Sequence, residues 1–85
     1  MVKKYVLFTT PTCVACPPVK KYLAELETKG MLSGQNYNVA SDEGYEQAVT
    51  CNVTRSPTVI FFDQNNREVA RANNVSEIKS IIYDY

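Results

Sequence analysis

Two short stretches of this chain are apolar at nearly every position, while other segments are apolar on one helical face only. The unbroken runs are Tyr5-Val6-Leu7-Phe8-Thr9 and Thr58-Val59-Ile60-Phe61-Phe62. Runs of that length, rich in β-branched and aromatic residues, suit strands buried on both faces in the middle of a sheet. From Val19 the pattern changes to Val19, Tyr22, Leu23 and Leu26, the i, i+3, i+4, i+7 stripe of an amphipathic helix. Lys20, Lys21, Glu25 and Lys29 take its other faces, and Gly30 is a natural stop.

Weaker signals fill the gaps. Ser33-Gly34 predicts a turn, after which Tyr37 and Val39 alternate with Asn36 and Asn38 as an edge strand. Ser41-Asp42 predicts the cap of a short helix with Tyr45, Ala48 and Val49 facing inward and Asn52 closing it. Asp63-Gln64-Asn65-Asn66 predicts a turn, and Glu68–Ala72 returns as a charged hairpin partner at the other edge. Asn74 or Ser76 caps a last helix built on Val75, Ile78, Ile81 and Ile82. The expected order is β-α-β-α-β-β-α, an α/β fold with a four-stranded mixed sheet flanked by three helices. Its two fully apolar strands, the first and third, belong in the middle.

Composition narrows the chemistry. With 85 residues there is room for one domain, 1–85. Nine Lys+Arg against nine Asp+Glu leave no net charge, which argues against nucleic acid as a partner. No apolar stretch approaches the ~18–20 residues of a membrane span. The N-terminal stretch is too short and too β-branched for a signal peptide, so the expected location is cytoplasmic. Histidine is absent, which excludes catalytic triads and His-containing zinc sites.

The thiols are Cys13, Cys16 and Cys51. Three cysteines do not make a disulfide-stapled scaffold, and no further ligands exist to complete a zinc site. That leaves Cys13-Val14-Ala15-Cys16, a CxxC between a buried strand and an amphipathic helix. Half of a metal site and a pair of core cysteines are the bland alternatives. Dithiol exchange needs an attacking thiolate, a second thiol within reach and solvent access. A helix start supplies unpaired N–H groups and partial positive charge that stabilise a thiolate. On this reading Cys13 is the nucleophile and Cys16, one turn inward, the resolving thiol. Pro17 and Pro18 stand where the first helical turn belongs, so the helix is expected to start late or kink. Ser56-Pro57-Thr58 opens the second apolar run. Pro57 is either a strand-opening trans proline or a cis proline beside the CxxC that presents the Ser56 backbone to an extended substrate.

Together, Phe8–Pro17 around the CxxC and Val53–Phe62 around the proline resemble the thioredoxin/glutaredoxin superfamily. The chain resembles the small, N-terminally short thioredoxin- and glutaredoxin-like proteins of archaea, bacteria and phages. The resemblance covers nearly the whole chain and implies a thioredoxin-like fold. It also implies a dithiol–disulfide reductase with Cys13 and Cys16 catalytic and Pro57, Ser56, Val14, Ala15 and Arg55 at the substrate groove. No metal or bound cofactor is implied. The partners would be disulfide-containing proteins and a thioredoxin-reductase-type flavoprotein as electron source, the protein acting as a monomer. Thr12 replaces the family's Trp before the first Cys, and Leu7 replaces the buried Asp of full-length thioredoxins. Ala72-Asn73-Asn74-Val75 replaces the glutathione-gripping Gly-Gly of glutaredoxins, and Thr10 replaces a basic residue near their CxxC.

Several roles stay open at this level. The Ser56 hydroxyl is either a bystander at a turn or a hydrogen-bond donor to the Cys13 sulfur. Cys51 reads as a small buried hydrophobe rather than a regulatory thiol. Tyr22, Tyr37 and Tyr45 are core candidates, and Arg55 is either a solvated charge or a determinant for acidic partners. Competing functions are a glutaredoxin-like electron donor to ribonucleotide reductase, a glutathione-clamped iron–sulfur carrier, and a thioredoxin fold kept only as a binding subunit.

Overall fold

The computed structural model describes residues 2–84. The first apolar run forms β1 (Lys4–Thr9) and the second forms β3 (Thr58–Phe62). These two pair antiparallel, with Phe8 opposite Thr58 and Leu7 opposite Val59. The edge strand β2 (Ser33–Asn38) runs parallel to β1, and the edge strand β4 (Glu68–Ala72) runs antiparallel to β3. The sheet order is β2-β1-β3-β4. Helices α1 (Cys16–Thr28), α2 (Asp42–Thr50) and α3 (Val75–Asp84) complete the expected order.

The central strands are apolar throughout because helices cover both faces of the sheet. Tyr5, Leu7, Val59 and Phe61 pack with Val19, Leu23 and Leu26 of α1 and Ile78 of α3. The alternate residues Phe8 and Ile60 pack with Ala48 of α2, and half-buried Val6, Tyr37 and Cys51 extend that cluster. Fully burying a Leu, Ile or Phe side chain contributes about 1.5–3 kcal/mol. The Arg71–Glu68 ion pair on β4, at 2.7 Å, is partly exposed, and such pairs contribute about 0–1 kcal/mol. Apolar burial, then, holds the sheet. Arg71 does more by donating Nη2 to the Cys51 carbonyl at 2.7 Å, which ties the end of α2 to the β4 edge.

Both of the first two helices end in the same way. Gly30 (φ 72°) and Asn52 (φ 57°) adopt the left-handed conformation. Gly30 N–H donates to the Glu27 carbonyl and Met31 N–H to that of Leu26. Asn52 and Val53 make the equivalent bonds to Val49 and Ala48. This paired arrangement satisfies the last helical carbonyls and reverses the chain. Ser41 caps α2 by accepting from Gly44 N–H at 3.0 Å, and Asn74 caps α3 by accepting from Glu77 N–H at 2.8 Å.

Three expectations are corrected. Ser33-Gly34 is the start of β2, not a turn. A Cβ on Gly34 would collide with the Tyr5 carbonyl and ring, so this glycine serves a close strand approach that imitates a turn signal. Tyr45 and Val49 are 63% and 58% exposed rather than inward-facing. The inner face of α2 is Gly44 and Ala48, a stripe displaced by one position because its leading residue carries no side chain. Thirdly, α1 neither starts late nor is broken by its prolines: it begins at Cys16, with Pro17 and Pro18 inside its first turn. Proline there sacrifices no hydrogen bond, since first-turn N–H groups have no helical partner. The carbonyl that Pro18 would strike belongs to Val14, which lies before the helix.

Gly44 gives a test of this packing. A Cβ there would strike the Asn38 carbonyl, whereas helix propensity alone favours Ala over Gly by about 1 kcal/mol. Gly44→Ala should therefore lower the urea midpoint, with an overpacking cost of about 1–3 kcal/mol. A raised midpoint would show that α2 is not seated on the end of β2.

Candidate active site

β1 ends at Thr9, and the chain turns at once. Cys13 N–H donates to the Thr10 carbonyl at 3.2 Å, closing a four-residue turn with Pro11 second, where a fixed φ is favoured. Ala15 sits at the N-cap of α1 and Cys16 is the first helical residue. Cys13 and Cys16 are joined by a disulfide with their Cα atoms 5.5 Å apart. Val14 and Ala15 lie on the bend leading into the helix, so Cys13 precedes its first turn.

The two cysteines differ in environment. Cys16 is 3% exposed, within the same protein layer as Val19, whereas Cys13 is half-buried at the surface. Of the N–H groups that a helix start leaves unpaired, those of Pro17 and Pro18 do not exist. Ala15 and Cys16 N–H remain as donors at this end. Leu7 is fully buried in the cluster with Val19 and Leu23.

The antiparallel β1–β3 pair carries the proline segment to the same place. The Ser56–Pro57 peptide is cis. Thr10 Oγ1 and Ser56 Oγ lie 3.3 Å apart, so a hydroxyl hydrogen bond links the CxxC turn to the proline loop. In this disulfide form the Ser56 hydroxyl is in contact with Thr10. Pro57 is buried, Ser56 half-buried and Arg55 exposed. Among the described residues, neither the N–H nor the carbonyl of Ser56 has a hydrogen-bond partner.

Clefts flank this bridge on either side. One, of about 370 Å³, is lined by Thr9, Thr10, Cys13, Cys16, Lys20 and Asn38, among others. The other, of about 190 Å³, is lined by Thr10, Val39, Val53, Thr54, Arg55 and Ser56. Val14, 93% exposed, and Ala15 line neither. A larger cleft of about 450 Å³ around Lys4, Gly34 and Asn66 adjoins neither cysteine. Among the described residues no cluster of His, Cys, Asp or Glu could hold a metal ion, and no helix is long and apolar enough to cross a membrane. Cys51, the one free thiol among the described residues, is half-buried against Phe8 and Ile60.

Two contributors carried no signal in the sequence. Lys20 read as part of a solvated face, yet it lines the cleft beside both cysteines. Asn73 donates Nδ2 to the Pro57 carbonyl at 3.0 Å and to Thr58 Oγ1 at 3.1 Å. Only the topology brings the end of β4 next to the start of β3.

After reduction, Cys13 should be the thiol that reacts first. Its alkylation by iodoacetamide is expected to be far faster than that of Cys16, which is 3% exposed. Equal rates at the two positions would remove the distinction between them.

No family model matches the chain. A protein of Archaeoglobus fulgidus described as a probable thioredoxin is 29% identical over 58 residues, which is 68% of this chain and 64% of that protein. The match thus spans less than two thirds of that relative's length. Among solved structures, thioredoxin O2 of Arabidopsis thaliana superposes with a TM-score of 0.84 at 20% identity, covering 98% of this chain and 74% of that one. Thioredoxin 1 of Thermosipho africanus gives 0.76 at 20% identity, covering 94% and 86%. Fasciola hepatica thioredoxin gives 0.77 at 24% identity, covering 95% and 78%. With a Cys13–Cys16 disulfide at the start of α1 and this likeness over nearly its whole length, the chain has the thioredoxin fold.

Proposed function

We propose that the protein is a thiol–disulfide oxidoreductase that reduces disulfides of protein partners. The observation that carries this reading is the asymmetric disulfide: one cysteine at the surface, the other buried at the first residue of a helix. In the reduced protein the Cys13 thiolate attacks one sulfur of the substrate disulfide. An S–S bond forms between Cys13 and the substrate while the substrate's own S–S bond breaks, and the first substrate thiolate leaves. The Cys16 thiolate then attacks the Cys13 sulfur, closing the Cys13–Cys16 disulfide and expelling the second thiolate. Two electrons and two protons pass to the substrate in all.

The unpaired N–H and carbonyl of Ser56 offer main-chain pairing to an extended segment next to the disulfide being reduced. Lys20 and Arg55 each line one flanking cleft, and no carboxylate lines either. Acidic partners are therefore favoured, in encounter rate more than in final affinity. Lys20 also places a cation in the cleft shared with Cys13 and Cys16, where two first-turn positions lack N–H groups.

Electrons come, on this reading, from a thioredoxin-reductase-type flavoprotein rather than glutathione. Asn73 and Asn74, which stand in place of the glutaredoxin Gly-Gly, are engaged in holding the proline loop and capping α3. The protein works as a monomer in the reducing cytoplasm, a setting compatible with the free thiol of Cys51.

Insulin reduction with dithiothreitol tests the chemistry. Wild type should accelerate precipitation, Cys13→Ser should abolish the acceleration, and Cys16→Ser should accumulate a mixed disulfide. Acceleration retained by Cys13→Ser, or none with wild type, overturns the reading. Coupling to NADPH through a bacterial thioredoxin reductase, against glutathione with its own reductase, tests the electron source. Turnover with glutathione alone would replace the flavoprotein by a glutaredoxin-like cycle. With an acidic peptide disulfide, kcat/KM should fall several-fold as salt rises and the Debye length shrinks from ~30 Å at 0.01 M to ~8 Å at 0.15 M. Arg55→Ala should flatten that dependence.

A further inference from the structure

We propose that Asn73 is a positioning residue for substrate: its carboxamide holds the Arg55–Thr58 loop so that the Ser56 backbone is presented to an extended disulfide-bearing chain. This rests on the oxidoreductase reading for its substrate and on the geometry alone for the loop.

Asn73 directly follows β4, and its own backbone is anchored. Its N–H donates to Glu77 Oε1 at 2.6 Å, and Glu77 N–H donates to Asn74 Oδ1 at 2.8 Å, which fixes the segment to the first turn of α3. From that anchor the side-chain amide reaches across to β3. Nδ2 donates to the Pro57 carbonyl at 3.0 Å and to Thr58 Oγ1 at 3.1 Å, and Thr58 Oγ1 donates onward to the Arg55 carbonyl at 2.6 Å. The direction of this chain is determined. A carbonyl only accepts, so the amide nitrogen must face Pro57. The Thr58 hydroxyl, its proton committed to Arg55, then receives the second amide hydrogen.

These bonds hold the loop at Arg55, Pro57 and Thr58 and use neither polar backbone atom of Ser56. On the other side the loop is linked through the Thr10–Ser56 hydroxyl contact at 3.3 Å. Thr58 is the buried polar side chain of the core, at 4% exposure, so removing its donor leaves an oxygen underused where water does not readily replace it. Asn73 hydrogen-bonds neither cysteine. Its loss should thus disturb how a chain is held and not how a sulfur reacts.

The test compares two substrates that share the chemistry and differ in backbone: a disulfide-linked extended peptide and 2-hydroxyethyl disulfide. Loss of the hydrogen bonds to Pro57 and Thr58 predicts that Asn73→Ala raises KM for the peptide about tenfold. The peptide kcat and the rate with the small disulfide should stay within about twofold of wild type. Thr58→Val should act in the same direction and Thr58→Ser should restore wild-type KM. The double variant Asn73→Ala/Thr58→Val should be little worse than either single, as expected of residues in one network. An unchanged peptide KM in Asn73→Ala, or an equal loss with both substrates, overturns the proposal.

Backbone order parameters of the oxidised protein read the loop without any catalysis. Asn73→Ala should lower the order parameter of the Ser56 N–H while Leu7 and Val59 in the central strands stay rigid. An unchanged order parameter at Ser56 overturns the positioning role. Should wild type reduce neither substrate, the oxidoreductase reading fails, and the order parameter still decides whether Asn73 holds the loop.

Discussion

The antiparallel pairing of β1 with β3 is the interaction on which the rest of the molecule depends. It sets Phe8 opposite Thr58, and from that register the residues following one strand meet those preceding the other. Thr10 consequently reaches Ser56, and the CxxC turn lies beside the cis proline loop. A one-residue slip would reverse the faces of Leu7 and Phe8, exchanging the side packed on α1 and α3 for the side packed on α2. Both residues are fully buried in different clusters, so the register that defines the site is also the one that closes the core.

The site is divided between a buried half and a surface half. Cys16 is buried at the first residue of α1, and Leu7 and Val19 belong to the apolar cluster on which that helix packs. Cys13 stands on a turn held by one backbone bond, next to clefts whose charged lining is cationic. The helix start contributes fewer N–H donors than an ordinary first turn, because prolines fill two of its positions. These prolines nevertheless stiffen the segment and begin the helix immediately at Cys16.

Strong local signals led to the right elements. Unbroken apolar runs became the central strands, the Val19–Leu26 stripe became the buried face of α1, and Gly30, Ser41 and Asn52 punctuated helices as their chemistry requires. Errors came where a residue's meaning depended on a distant neighbour. Gly34 resembled a turn because close packing on Tyr5 and a tight bend both call for glycine. The inner face of α2 was displaced because Gly44 buries backbone without contributing hydrophobicity.

By itself the sequence determined the order of elements, the two-sided burial of β1 and β3, and a CxxC at the junction of a strand and a helix. Periodicity, caps and short motifs are local, so they can be read along the chain. The tertiary structure alone decided that Ser56 pairs with Thr10, that Lys20 shares a cleft with the cysteines, and that Asn73 braces the proline loop. Each of those contacts joins segments brought together by strand pairing or helix packing. A polar side chain in isolation carries no mark of which carbonyl the fold will set within 3.0 Å of it.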